Sequence, residues 1–267
     1  MEPRPQNPPG AGGDDLRIAL NQWFDQPLGR TLQAVEASHL RLVLPSLYGT
    51  VALQLGRIGK LDLMDACVAP TRIVLDTVPG ESGCRVAGEA DALPFDQKSL
   101  DVVILPHTLD FARDPHQVLR EVHRVLRPEG HVILTGFNPF SLWGLWRLAG
   151  RRSKRPPWCA NFFALSRIKD WLALLEFEPT QGRMLYYRPP LQNENLMDRL
   201  HFLDKVGDRW WPLAAAVYLM VAKKRIFGMT PLRPVWEKNK AKGRTAATPA
   251  ARVIYPRIPQ WRLRRDL

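Results

Sequence analysis

The chain has 267 residues, 45% hydrophobic and 24% charged, which is enough for one large or two small domains with a buried core and too apolar for a disordered polymer. Its net charge of +12 is uneven: from Lys223 onward thirteen Lys or Arg face only Glu237 and Asp266, so eleven of the charges lie in the tail and the body is close to neutral. Cys67, Cys84 and Cys159 are widely spaced, with no CxxC or His cluster, which argues against a disulfide framework and a zinc site and suits a reducing, cytoplasmic setting. The longest apolar run, Pro212 to Ala222, falls short of the roughly 20 residues of a membrane-spanning helix.

Residues 1–13 are rich in Pro and Gly and read as a disordered leader. Behind Asp14-Asp15, residues Leu16, Ala19, Leu20, Trp23 and Phe24 recur at helical spacing and predict a first helix. Pro27 interrupts it, and Leu28, Leu32, Val35 and Leu42 continue a looser helical stripe toward Pro45. Four short apolar runs, Val51–Leu55, Arg72–Asp76, Leu100–Leu105 and His131–Thr135, read as strands covered on both faces. A helix is expected over Leu61–Cys67. The clearest helix spans Asp114–Leu126, with Asp114 as its cap, Pro115 at its first position and Val118, Val122, Val125 and Leu126 on one face. Another runs from about Ser166 to Leu175, burying Ile168, Trp171, Leu172 and Leu175, and leads into late strands at Arg183–Tyr187 and Ala214–Ala222. These last two have no good helix between them and suit an antiparallel hairpin at the end of the sheet. Alternating strands and helices give an α/β class with a doubly wound, mostly parallel sheet.

Ligands of such sheets bind beyond the carboxyl ends of the strands, so Gly56 to Lys60, Asp76, Asp91-Ala92 and Pro106-His107 are the positions of interest. The segments Asp91-Ala-Leu-Pro-Phe95, Ser99-Leu-Asp-Val-Val103, Leu119-Arg-Glu-Val-His-Arg-Val-Leu-Arg-Pro-Glu-Gly130 and Phe137-Asn-Pro139 together resemble class I S-adenosylmethionine-dependent methyltransferases. The likeness is to the type 11 methyltransferase-domain branch, which includes quinone-biosynthesis and other small-molecule enzymes, and it covers roughly residues 50 to 190. It implies a seven-stranded Rossmann-like domain over residues 14–227, followed by a basic, Pro-containing tail over residues 228–267.

The resemblance also implies S-adenosylmethionine as cofactor. Asp91 stands where a carboxylate receives the adenine amino group, and Ala92 where a backbone amide meets the ring. Asp76 stands where an acid takes the ribose hydroxyls, a carboxylate offering two acceptors to a diol. Leu105, Pro106 and His107 follow the fourth strand, where donor and acceptor would face each other. The first strand departs from the family's acid and Gly-x-Gly-x-Gly turn, reading Leu53-Gln-Leu-Gly-Arg-Ile-Gly-Lys60. Gly56 matches the first glycine, Ile58 stands at the second, Gln54 replaces the carboxylate, and Gly59 is reached only by shifting one place. Either the loop binds the same cofactor through altered contacts, Gln54 acting as donor and acceptor, or the site has decayed on a retained fold.

His107 has the chemistry of a general base, although a methyl transfer from a sulfonium needs mainly alignment and exclusion of water. Asp101, at a strand start, reads as structural, and His116 and His123 as solvent-facing. Phe140 to Arg152 carries aromatics beside Arg147, Arg151 and Arg152 and suits a lid over an apolar or aromatic small-molecule acceptor, a membrane-surface contact, or simple packing on the domain. The tail interleaves Trp236, Tyr255 and Trp261 with basic residues, as in contacts with nucleic acid or an anionic membrane surface, or in a solvated tail. The enzyme reading therefore has a rival: a catalytically degenerate methyltransferase fold that holds RNA or an acidic partner through the tail.

Overall fold

The computed structural model describes residues 13–77, 86–149 and 155–225. The leader before residue 13, Cys84, Arg151, Arg152 and the tail over 228–267 lie outside the described residues. Two N-terminal helices, α1 (Gly13–Phe24) and α2 (Pro27–Val43), precede the first strand. Pro27 starts the second helix, where its missing N–H is not needed. Leu28, Leu32 and Leu40 are buried on its inner face, whereas Leu42, expected in that stripe, is exposed because the helix turns Val43 inward in its place.

The strands are β1 (Val51–Leu55), β2 (Thr71–Asp76), β3 (Val86–Ala87), β4 (Leu100–Pro106), β5 (Leu126–Phe137), β6 (Phe177–Leu185) and β7 (Val217–Lys224). They form one seven-stranded sheet in the order β3-β2-β1-β4-β5-β7-β6. Pairing is parallel from β3 through β5, and β7 runs antiparallel to both β5 and β6. The late strands thus pair antiparallel as expected, with β7 inserted beside β5 and β6 left at the edge.

Side chains alternate across the sheet. Ala52, Val102, Ile104 and Ile133 pack under α1 and α2 on one face. Leu53, Leu55, Val103, Leu105 and Leu134 pack under α4 (Pro115–Val125) and α6 (Leu165–Leu174) on the other. Asp114 caps α4 by accepting from the backbone N–H of His116 and Gln117, as its sequence predicts. A four-residue helix, α3 (Thr108–Phe111), follows β4, and α5 (Leu142–Ala149) follows β5. His116 is exposed against Trp171, but His123 is half-buried against Phe177 rather than free in solvent, and burial lowers its pKa.

Two helix expectations are corrected. Residues 61–67 form turns, with the Asp62 carboxylate accepting from the Met64 N–H. Leu63, Met64 and Cys67 are buried there in the cluster that α2 also joins, so the face a crossover helix would cover is already closed. Conversely, the link between β6 and β7 holds α7 (Glu194–Arg199) and α8 (Phe202–Trp210). Asp101 is structural: its Oδ2 accepts from the N–H of Thr50 and Val51 and from the Thr50 hydroxyl, and Arg127 pairs with it at 2.9 Å. Those bonds tie the starts of β1 and β4 together, and they hold the carboxyl below its ordinary range although burial works against that.

Candidate functional site

The carboxyl ends of β1, β2 and β4 meet where the topology reverses direction between β1 and β4, the place where α/β sheets bind ligands. At β1, Gly56 takes φ +82° and Gly59 φ +56°, left-handed backbone that favours glycine. Gln54 is buried, and its amide donates to the Gly56 carbonyl at 3.0 Å, closing the turn. Ile58, in place of a glycine, is fully buried in the core under α2. The turn is also gripped from the N-terminal helices. Gln33 donates to the Ile58 carbonyl, the Asn21 side chain accepts from the Gly59 N–H at 3.2 Å, and a Cβ on Gly59 would lie 2.3 Å from the Gln33 side chain. The close approach that glycine permits there is therefore filled by α2.

At β2, one oxygen of the buried Asp76 accepts from the Arg57 N–H at 2.9 Å and the other from the Thr77 N–H at 2.8 Å. The Thr77 hydroxyl beside it is buried and has no partner among the described residues.

Beyond β3, Asp91 lies in the turn bridged by Glu89 and Ala92. Three side chains of α4 hold this segment. Gln117 donates to the Asp91 carbonyl, Glu121 accepts from the Leu93 N–H at 3.0 Å, and Arg124 donates to the Leu93 and Phe95 carbonyls at 2.9 Å. Glu121 and Arg124 also pair with each other at 2.8 Å. The motif from Leu119 to Arg124 thus exists to fasten the motif from Asp91 to Phe95. The Asp91 carboxylate is half-buried and has no hydrogen-bond or ion-pair partner among the described residues, and Ala92 is exposed beside it.

At β4, Leu105 is wholly buried among the side chains packed with α4. His107 is wholly buried as well and sits in left-handed backbone at φ +50°. Its Nδ1 meets Asp110 at 2.9 Å and its Nε2 meets Glu36 of α2 at 2.8 Å, so both ring nitrogens are engaged and neither faces an acceptor molecule. Asp110 also accepts from the Phe137 N–H, and the Phe137 ring stacks on the imidazole at 4.1 Å. Burial alone would disfavour a charged ring. The adjacent Glu36 carboxylate and the hydrogen bonds of Asp110 and Glu36 outweigh it and raise the pKa to about 9, while burial pushes Asp110 up to about 6. Glu36, Asp110, Gln33 and Asn21 did not emerge from the motifs. Glu36 alone carries a sequence signal, since it interrupts the apolar row Leu28, Leu32, Leu40 at a four-residue step.

A family model described as a methyltransferase domain matches residues 49–134. A protein from Escherichia coli K12 named uncharacterized protein YafS is 32% identical over 232 residues, covering 86% of this chain and 91% of the relative. The chain belongs to the class I S-adenosylmethionine-dependent methyltransferase family. Within that family, the ubiquinone/menaquinone biosynthesis C-methyltransferase UbiE of Hahella chejuensis is 34% identical over 87 residues, 31% of this chain and 35% of the relative.

Solved methyltransferases share the fold. A chain of the complex between the Trm112 methyltransferase activator of Haloferax volcanii and a methyltransferase superposes with TM-score 0.56 at 15% identity, covering 80% of this chain and 99% of that one. An S-adenosylmethionine-dependent methyltransferase of Thermotoga maritima gives 0.51 at 16% identity, covering 76% and 94%. At these identities the likeness is one of architecture.

Proposed function

We propose that the protein transfers a methyl group from S-adenosylmethionine to a small apolar or aromatic acceptor. The reading rests above all on Asp91: α4 fixes its loop at four backbone atoms and leaves its half-buried carboxylate beyond β3 without a partner among the described residues. A buried or half-buried acceptor held this way suits the adenine amino group. The Thr77 hydroxyl, buried without a partner beside Asp76, suits a neighbouring diol such as the ribose. Gly56, in left-handed backbone, shapes the turn at the methionine end, with Gln54 holding the turn that the missing family carboxylate would otherwise line. Ala92 offers an exposed edge beside Asp91. The residues thus fit the cofactor, whose sulfonium would supply an already activated methyl group.

His107 is better suited to positioning than to proton removal. Clamped between two carboxylates, it holds the end of β4 against α2 and β5, and alignment with exclusion of water is what such a transfer chiefly requires. The acceptor class is supported by the partial likeness to a ubiquinone/menaquinone biosynthesis C-methyltransferase. No observation favours the RNA-binding rival.

Titration calorimetry of the purified protein with S-adenosylmethionine and S-adenosylhomocysteine tests the reading. Binding of both is expected, and Asp91→Ala should weaken it by about 1 to 3 kcal/mol through the adenine amine left unpaired. Absence of heat and of thermal stabilisation at millimolar ligand would rule out the enzyme, and an unchanged affinity in the variant would rule out this placement of the adenine.

A further inference from the structure

On the face of the sheet covered by α1 and α2, the outermost strand is left partly open. Gln181, Arg183 and Leu185 of β6 stand opposite Val221, Leu219 and Val217 of β7. Those three β7 side chains pack in the cluster that α2 joins, so the β6 residues share that face. Leu185 is buried there, whereas Gln181 and Arg183 are exposed. One flank of α2 carries Val35, Ser38 and His39 at i, i+3 and i+4, the spacing of a single helix side. Together with His201 and Asp204 at the start of α8, these residues line a groove of about 930 Å³. That is the size of a small-molecule site and far more than an inorganic ion fills.

We propose that this groove binds a small organic carboxylate with an apolar body. The charge already paired within it selects that occupant. Asp204 is the only acid of the lining, and both its oxygens are taken: Oδ2 accepts from Arg188 at 2.8 and 2.9 Å, and Oδ1 from the Tyr187 N–H at 2.9 Å. Arg188 is buried in that pair and also donates to the Met197 carbonyl. The Arg183 guanidinium and the His201 ring have no hydrogen-bond or ion-pair partner among the described residues. At His39, Nδ1 donates to the Val35 carbonyl at 2.9 Å, which leaves Nε2 as the open position of the ring. Arg183 is therefore the one unpaired permanent charge of the lining. Its planar fork matches the two oxygens of a carboxylate, and its single charge balances a single negative one, whereas a phosphate monoester brings nearly two. Val35, Met184 and Leu185 receive the apolar body. The chain from Lys223 onward, with thirteen Lys or Arg, has the wrong sign to fill the groove. A second copy added at the edge of β6 would meet Pro179, which has no N–H to give. The groove follows the strand at the opposite edge of the sheet from β3, and none of Gln54, Gly56, Asp76, Asp91 and Ala92 lines it, so it is a second site rather than part of the cofactor's.

The test is titration calorimetry of the full-length protein, without S-adenosylmethionine, using octanoate, octan-1-ol and octyl phosphate. Saturable binding of octanoate is expected, with octan-1-ol weaker by about fivefold or more for want of the charge. Arg183→Gln should weaken octanoate by a similar factor, because it removes the fork. Ser38→Trp should do so by filling the space while Arg183 stays in place. Both residues are exposed, so each variant should keep the thermal midpoint of the parent. The proposal is overturned if millimolar octanoate gives no saturable heat, or if both variants bind it as well as the parent, which places the carboxylate elsewhere. Octyl phosphate binding more tightly than octanoate overturns the carboxylate and assigns the groove to a phosphate ester. Because no cofactor is present, these outcomes are separate from success or failure of the methyltransferase reading.

Discussion

The buried imidazole between Glu36 and Asp110 makes stability depend on pH in a window where few other side chains of this protein titrate. The folded pKa of His107, about 9, lies above the ordinary value of 6.5, so the fold binds a proton more tightly than the unfolded chain does. The imidazolium's contribution is therefore complete below pH 6.5 and is lost as pH rises through 9. Some 2.5 units at 1.36 kcal/mol each bound that contribution at roughly 3 kcal/mol, for a group fully removed from water. Asp110, raised by burial to about 6, changes stability in the same direction but below this window, between its ordinary value of 3.8 and 6. Urea unfolding at half-unit steps from pH 6 to 9.5 should show the parent losing most of that amount. His107→Gln removes the cation that lowers the Asp110 pKa and leaves two carboxylates facing each other in the core, so it is expected to be less stable than the parent throughout, with any remaining pH dependence carried by those carboxylates. A parent profile that is flat from 6.5 to 9 would show that the ring is neutral in the fold.

Two further substitutions probe how the strand ends are held. Arg124→Ala removes four hydrogen bonds, two to the Leu93–Phe95 loop and two to Glu121, and is expected to destabilise the protein by about 1 to 3 kcal/mol. It should also weaken S-adenosylmethionine binding in calorimetry although the residue touches no ligand; unchanged affinity would mean that the loop keeps its shape without α4. Asp101→Ala takes the acceptor from the Thr50 and Val51 N–H groups and the ion pair from Arg127, and should lower stability by about 2 to 4 kcal/mol in urea titration while leaving cofactor affinity within twofold.

Much of the architecture was legible because it is encoded locally. Asp114-Pro115 announces the start of α4, and the four apolar runs become β1, β2, β4 and β5 with small changes at their ends. Residues 61–67 misled because Leu63, Met64 and Cys67 are buried at spacings a helix also produces, while the decision against a helix was made by α2, some twenty residues upstream. Helices α7 and α8 escaped notice for the opposite reason. Among their described side chains, Leu196, Phe202 and Val206 face solvent and only Met197 is buried, so no inward stripe betrays them. Among the candidate site residues, Asp91 and Asp76 stand out in the sequence by their place after strands. The cluster of Glu36, His107 and Asp110 does not, because its key contact joins residues 71 positions apart and leaves no trace in any short window beyond one glutamate among leucines.

The grip of α2 has a consequence for how the strand ends respond to one another. Gln33 holds the turn after β1 and Glu36, one helical turn later, holds the residue after β4, so a single rigid rod is fastened to both. A molecule that displaced the rod at one strand end would change the other without touching it. Occupancy at the β1 turn and the shape of the β4 corner are thus thermodynamically linked, and ligands at those two places must raise or lower each other's affinity by the same factor.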